Sequence, residues 1–204
     1  MPINWGRVPI LNEEQMAEIL EEIDSWMEYI WLRIVKREYE RSRILEESNL
    51  HSTVYFHLRK LIESSKSKRT KPFIYSEMPF STTMRGEGKK NPRVDLAVAI
   101  LDEDNETPTD LLAVIELKHY DFHANSIGIQ KDLDHLEALR KGVYYPYKPT
   151  RKLIARRAYF LYLVDKGQIS LDSRLKRKMD KLKQGGYLKV FLGEGEKEKF
   201  YINC

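Results

Sequence analysis

Cysteine is almost missing from this chain. The one present, Cys204, stands alone among 204 residues, so one copy can form neither an internal disulfide nor a thiolate zinc site. Long hydrophobic runs are missing too. Stretches such as Ala158–Val164 fall far short of a bilayer span, which predicts a protein with no membrane segment. The opening residues, MPINWGRVPI, lack the basic and apolar regions of a signal peptide, and the expected location is cytoplasmic (intracellular). A strong charge imbalance is absent: 35 Lys and Arg face 31 Asp and Glu, a net charge of +4, so local distribution says more than the sum. No phosphate-binding P-loop is found. Arg85-Gly86-Glu87-Gly88-Lys89-Lys90 is glycine-rich, but it lacks the spacing and the following helix. Internal repeats, low-complexity tracts and an inter-domain linker are likewise absent. Proline and glycine do not occur between Asn12 and Glu47, which leaves that segment free to be helical.

What is present fits one globular α/β domain with a helical extension, since 42% of residues are apolar and 32% charged. Met16, Ile19, Leu20, Ile23, Met27, Ile30 and Ile34 recur at helical spacing behind an Asn12 N-cap. A helix of roughly 30 residues would reach about 45 Å, more than a small domain covers. It is expected either to bend near Asp24-Ser25 or to pack on a second copy, and a homodimer contact is favoured. The division expected is a helical extension over residues 1–48 and a second unit over 49–204, with a break at Ser48-Asn49 and a further helix from Leu50 to Glu63.

Two short runs rich in Val and Ile, Arg93–Ile100 and Ala113–Tyr120, read as strands. Nearly every position from Leu111 to Lys118 is apolar, as in a strand covered on both faces. Glu116 and Lys118 break the pattern, and residues two apart in a strand share a face. Asp95 interrupts the preceding run. If the runs pair as a hairpin, an Asp, a Glu and a Lys converge. Buried charges must be paired or bind a metal. The plain alternative is an ion pair of Lys118 with Glu116 or Asp95. Two carboxylates suit Mg²⁺, with Mn²⁺ as a substitute, and a lysine beside a metal-bound water can orient it or help remove its proton.

Asp95, Glu116 and Lys118 in this arrangement resemble the signature of the PD-(D/E)xK nuclease superfamily, the restriction-endonuclease-like fold. The usual Pro before the Asp is Val94 here, with Pro92 two positions earlier. The resemblance covers roughly Leu50 to Val164. It implies an αβββαβ core with a mixed central sheet flanked by helices. It also implies hydrolysis of DNA phosphodiester bonds, with Asp95, Glu116 and the Leu117 carbonyl holding the metal and Lys118 positioning or activating water. A helix-borne acid is implied as well, Glu47 or, failing it, Glu46. From the helix after the motif strand, with its stripe of Ile127, Leu133, Leu136 and Leu139, the resemblance carries over Gln130 and Lys131 toward the scissile phosphate.

Around this core the cations supply candidate phosphate contacts: Lys66, Lys68 and Arg69 in the run Ser64–Lys71, then Arg151, Arg156 and Arg157. The basic helix Ser173–Lys183 is a further one. Glu77, in the strand Phe73–Phe80, faces either the site or solvent. The tyrosines of Tyr144–Tyr147 either stack on bases or anchor their loop. The expected partner is DNA, double-stranded. The competing class is a non-catalytic binding module that keeps the same fold; a helical scaffold is the third.

Overall fold

The computed structural model describes residues 11–65, 72–83, 91–101, 107–120, 126–147, 151–166 and 171–203. Asn12 caps α1 (Glu13–Tyr29) by a reciprocal box. Its Oδ1 accepts from Gln15 N at 2.8 Å, and Gln15 Oε1 accepts from Asn12 N at 3.1 Å. The helix continues through a π-helical stretch, Ile30–Val35, into α2 (Lys36–Glu40). The irregularity thus falls after Asp24-Ser25, where Trp31 is fully buried. Its Nε1 donates to Leu192 O at 3.3 Å, and its ring meets Phe191 and Phe200 at 6.2 and 5.5 Å.

The break comes earlier than Ser48-Asn49. Ser42, at φ 55, turns the chain in the left-handed region, and α3 (Glu47–Ser64) starts at Glu47. The apolar stripe that suggested a dimer is used within the chain. Met16, Ile19, Ile23, Met27 and Ile30 share one core with Leu50, Val54 and Leu58 of α3 and with Ile115, Leu117 and Leu161 of the sheet. The length of this segment is therefore no argument for a second copy.

The sheet comprises β1 (Phe73–Pro79), β2 (Arg93–Leu101), β3 (Pro108–Tyr120), β6 (Ala155–Val164), β7 (Leu188–Glu194) and β8 (Lys199–Asn203), in the order β1-β2-β3-β6-β7-β8. A two-residue ribbon, β4 (Val143–Tyr144) with β5 (Lys152–Leu153), stands apart. The β3–β6 and β6–β7 pairs are parallel and the others antiparallel. The parallel pairs need crossovers, supplied by α4 (Ser126–Lys141) and α5 (Ser173–Lys183). From α3 to β6 the major elements run α-β-β-β-α-β, the restriction-endonuclease-like arrangement expected, in an α/β protein whose mixed central sheet is flanked by helices. The second of the two expected strands, Ala113–Tyr120, starts sooner, because β3 already begins at Pro108.

Alternation along the central strands sorts their side chains into two layers. Ala113, Ile115 and Leu117 of β3 face α1 and α3. Val114 of β3 and Ala97 and Ala99 of β2 face the α4–α5 layer, and the two-residue period puts Glu116, Lys118 and Asp95 on that same side.

Candidate active site

The registers run from Leu96↔Ile115 inward between β2 and β3, and include Ser76↔Leu96 and Met78↔Val94 between β1 and β2. Continuing them sets Glu77, Asp95 and Glu116 in one row across three strands. At this end of the ladder a side chain takes over from the backbone: Asp95 Oδ2 accepts the Leu117 N–H at 2.7 Å. His51 of α3 fixes the same turn of β2, its Nε2 lying 3.1 Å from Asp95 O. Glu77 holds φ 54, a left-handed conformation inside a strand. That is costly for a residue with a Cβ, and Glu77 lines the space beside Asp95.

Lys118 reaches two acids from two helices. Its Nζ lies 3.2 Å from Glu47 Oε1 on α3 and 3.3 Å from Asp132 Oδ2 on α4. Burial alone would lower the affinity of this ammonium for its proton. The charges of Asp132, Asp95 and Glu47 outweigh burial and raise its pKa above the ordinary lysine value. Glu116 is 1% exposed. Burial, then Asp95 and Asp132, push its pKa well up, with Lys118 opposing. Asp132 is raised to about 6, by burial first, against the pull of Lys118. Its Oδ2 is buried and accepts no hydrogen bond. His135, three residues on, places Nδ1 3.2 Å from Glu116 Oε1. Burial, reinforced by Lys131, lowers its pKa and favours the neutral ring.

These groups open into a cleft of about 730 Å³, lined by Arg93, Asp95, Glu116, Lys118, Asp132 and His135 among others. Among the described residues, one ligand atom each from Glu116, Asp132 and His135 lie within 4.8 Å of one another. This buried acidic and imidazole cluster could bind a metal. Two observations fit a cation: a buried carboxylate oxygen without a hydrogen bond, and carboxylates whose mutual repulsion one lysine only partly offsets.

Asp95, Glu116, Lys118 and Glu47 are thus brought together, with Leu117 contributing its main chain and Lys131 lining the cleft. Gln130 points elsewhere, its Nε2 donating to Asp134 Oδ1 at 3.0 Å. Arg151 pairs with Asp110 at 3.4 Å, Arg156 is exposed at the start of β6, and Arg157 pairs with Asp24 of α1 at 3.5 Å, on the far face of the sheet. Lys66, Lys68 and Arg69 lie outside the described residues.

Asp132 and His135 are not found by the sequence pattern, whose stripe is right at Leu133, Leu136 and Leu139, all fully buried, and misplaced at its first member. Ile127 is 78% exposed, whereas Ile129 is fully buried with Leu133 and Leu136. A stripe begun at Ile129 would have put Asp132 and His135, spaced i and i+3, at its edge.

No protein-family model matches the chain, and no curated protein does. One solved structure, titled E. coli MS115-1 NucC in its cAAA-bound form, is similar over 93% of this chain and 81% of its own, at 11% identity and a TM-score of 0.37.

Proposed function

We propose that the chain is a metal-dependent nuclease that hydrolyses phosphodiester bonds in DNA, with Asp95, Glu116 and Lys118 as its working centre. The observation that carries this reading is the convergence of these three side chains, from adjoining strands, on one cleft. Asp95 and Glu116 would hold the cation, with His135 in reach through Glu116. Oxygen donors suit Mg²⁺ or Mn²⁺, and an imidazole in the set shifts preference toward Mn²⁺. When bound, such an ion would supply positive charge to the phosphoryl oxygens and lower the pKa of water.

Lys118 is the residue whose role the geometry sharpens. Held between Glu47 and Asp132, it keeps its proton at neutral pH. It therefore donates hydrogen bonds to the attacking water or to a non-bridging oxygen and does not act as a base. In this reading its charge would offset the negative charge that builds up as the water oxygen bonds to phosphorus and the P–O3′ bond breaks. Glu47 and Asp132 act through it, as positioning residues. A 5′-phosphate product is the outcome the superfamily resemblance implies.

The test is cleavage of plasmid and single-stranded DNA in Mg²⁺, Mn²⁺ or chelator, with wild type, Asp95→Ala and Lys118→Ala. Metal-dependent cutting that falls at least about a hundredfold in both variants, with DNA affinity retained, is the expected result. Binding without cutting by the wild type in every metal would replace this reading with a non-catalytic nucleic-acid-binding module.

A further inference from the structure

The cleft's rim carries an aromatic row that hydrolysis does not explain. Tyr147 lines the cleft beside Lys131 and Arg93, yet its side chain is left 75% exposed. Behind it stands Tyr145, with ring centroids 5.5 Å apart, then Tyr75 of β1 at 6.3 Å from Tyr145, then Phe73 at 5.0 Å from Tyr75. The row is anchored. Tyr144 exchanges two backbone hydrogen bonds with Ser81, Ser81 N to Tyr144 O at 2.9 Å and Tyr144 N to Ser81 O at 2.7 Å. That ties the tyrosine segment to the chain just after β1. Tyr75 and Tyr145 are part-buried against the core of the α4–α5 layer, so the outermost ring is backed by packed ones.

We infer that Tyr147 is a stacking subsite for an unpaired nucleobase, so that the chain acts on single-stranded or frayed nucleic acid in preference to fully paired duplex. This rests on the phosphodiester reading above and narrows its substrate class from the double-stranded DNA expected at first. A paired duplex presents phosphates to Lys131 and Arg93, but its base faces are already covered by their neighbours. An unpaired strand offers the same phosphates and a free π-face. Every base has one, so the subsite selects strand state and not sequence. A ring exposed at the mouth of a cleft that also holds Arg93 and Lys131 matches both halves of that ligand, and the duplex matches only one.

The experiment is fluorescence anisotropy in Ca²⁺ without Mg²⁺ or Mn²⁺. It uses a labelled oligothymidylate and a blunt duplex of equal length, with wild type, Tyr147→Ala and Tyr147→Phe. Tyr147→Ala should weaken the single strand roughly tenfold, the low-to-middle range for loss of one stacked base. Duplex affinity should change less than twofold, and Tyr147→Phe should bind as wild type does. Unchanged single-strand affinity in Tyr147→Ala, equal losses on both probes, or a Phe variant as weak as Ala would each overturn the subsite. If the wild type still cuts DNA in Mg²⁺ or Mn²⁺ under any of those outcomes, the hydrolytic reading survives alone. If neither probe binds, both fall together.

Discussion

Asp132→Asn isolates the electrostatic cost of assembling this centre. In the folded chain the Asp132 carboxyl titrates at about 6, against an ordinary 3.8. The folded state therefore holds that proton more tightly than the unfolded state does, and stability falls as pH rises between those values. Below about pH 4 the group is neutral in both states and the cost is absent; above about pH 6 it is fully present. A shift from 3.8 to about 6 corresponds to about 3 kcal/mol. Asn has nearly the same shape, keeps an oxygen beside the Lys118 ammonium and carries no charge. Its stability relative to wild type should therefore rise by about 3 kcal/mol between pH 4 and pH 7 in chelator. Removing the Asp132 charge also lowers the cost of ionising Glu116, which acts in the same direction. Urea melts of both proteins across that pH range measure the difference directly. A difference that stays flat, or falls, would mean that Lys118 stabilises the Asp132 carboxylate by more than burial destabilises it. Repeating the series in Mn²⁺ should flatten the wild-type slope, because a cation in the cluster takes over the compensation of charge.

Two further outcomes follow from the geometry. Trp31→Ala removes a fully buried ring and leaves Leu192 O without its indole donor; a loss of roughly 3–5 kcal/mol in a single transition is expected. A separate early transition that leaves the sheet folded would instead make residues 1–48 an independent extension. Glu77→Gly should release the left-handed strain at φ 54 and stabilise the fold by about 1 kcal/mol, while slowing cleavage of any bound strand. Destabilisation in urea would show that the Glu77 side chain contributes more than its backbone costs.

The strand half of the centre is legible in the sequence because a strand's period of two leaves no freedom of phase. With Arg93–Ile100 and Ala113–Tyr120 paired in the register Leu96↔Ile115, Asp95, Glu116 and Lys118 share a face. Glu47 is reachable on similar grounds, at the start of a helix whose apolar positions Leu50, Val54 and Leu58 are unambiguous. The α4 half is different. A period of 3.6 read from few apolar residues leaves the phase open by one or two positions. Leu133, Leu136 and Leu139 mark the buried face, but Asp132 and His135 at its edge are polar and add no apolar signal of their own. The stop at Ser42 and the left-handed Glu77 have no sequence signal at all, since neither is glycine or asparagine.

That asymmetry follows from what each element contributes. The strands fix which charges meet, because the β2–β3 ladder ends at Leu96↔Ile115 and Asp95 and Glu116 follow directly beyond it. The helices decide what those charges can do. Without α3 and α4, Lys118 would be an ordinary ammonium at a strand end, free to shed its proton as burial demanded. With Glu47 and Asp132 on opposite sides it is kept as a cation, and the same Asp132 raises the proton affinity of Glu116 until a further positive charge enters. On the proposed reading the strand motif supplies carboxylates for a cation, while Glu47 and Asp132 hold the charge on Lys118. A variant that kept Asp95, Glu116 and Lys118 but replaced both Glu47 and Asp132 with Ala should retain the fold and the cleft. Its lysine would titrate lower, and its cleavage rate should fall with rising pH well before that of the wild type.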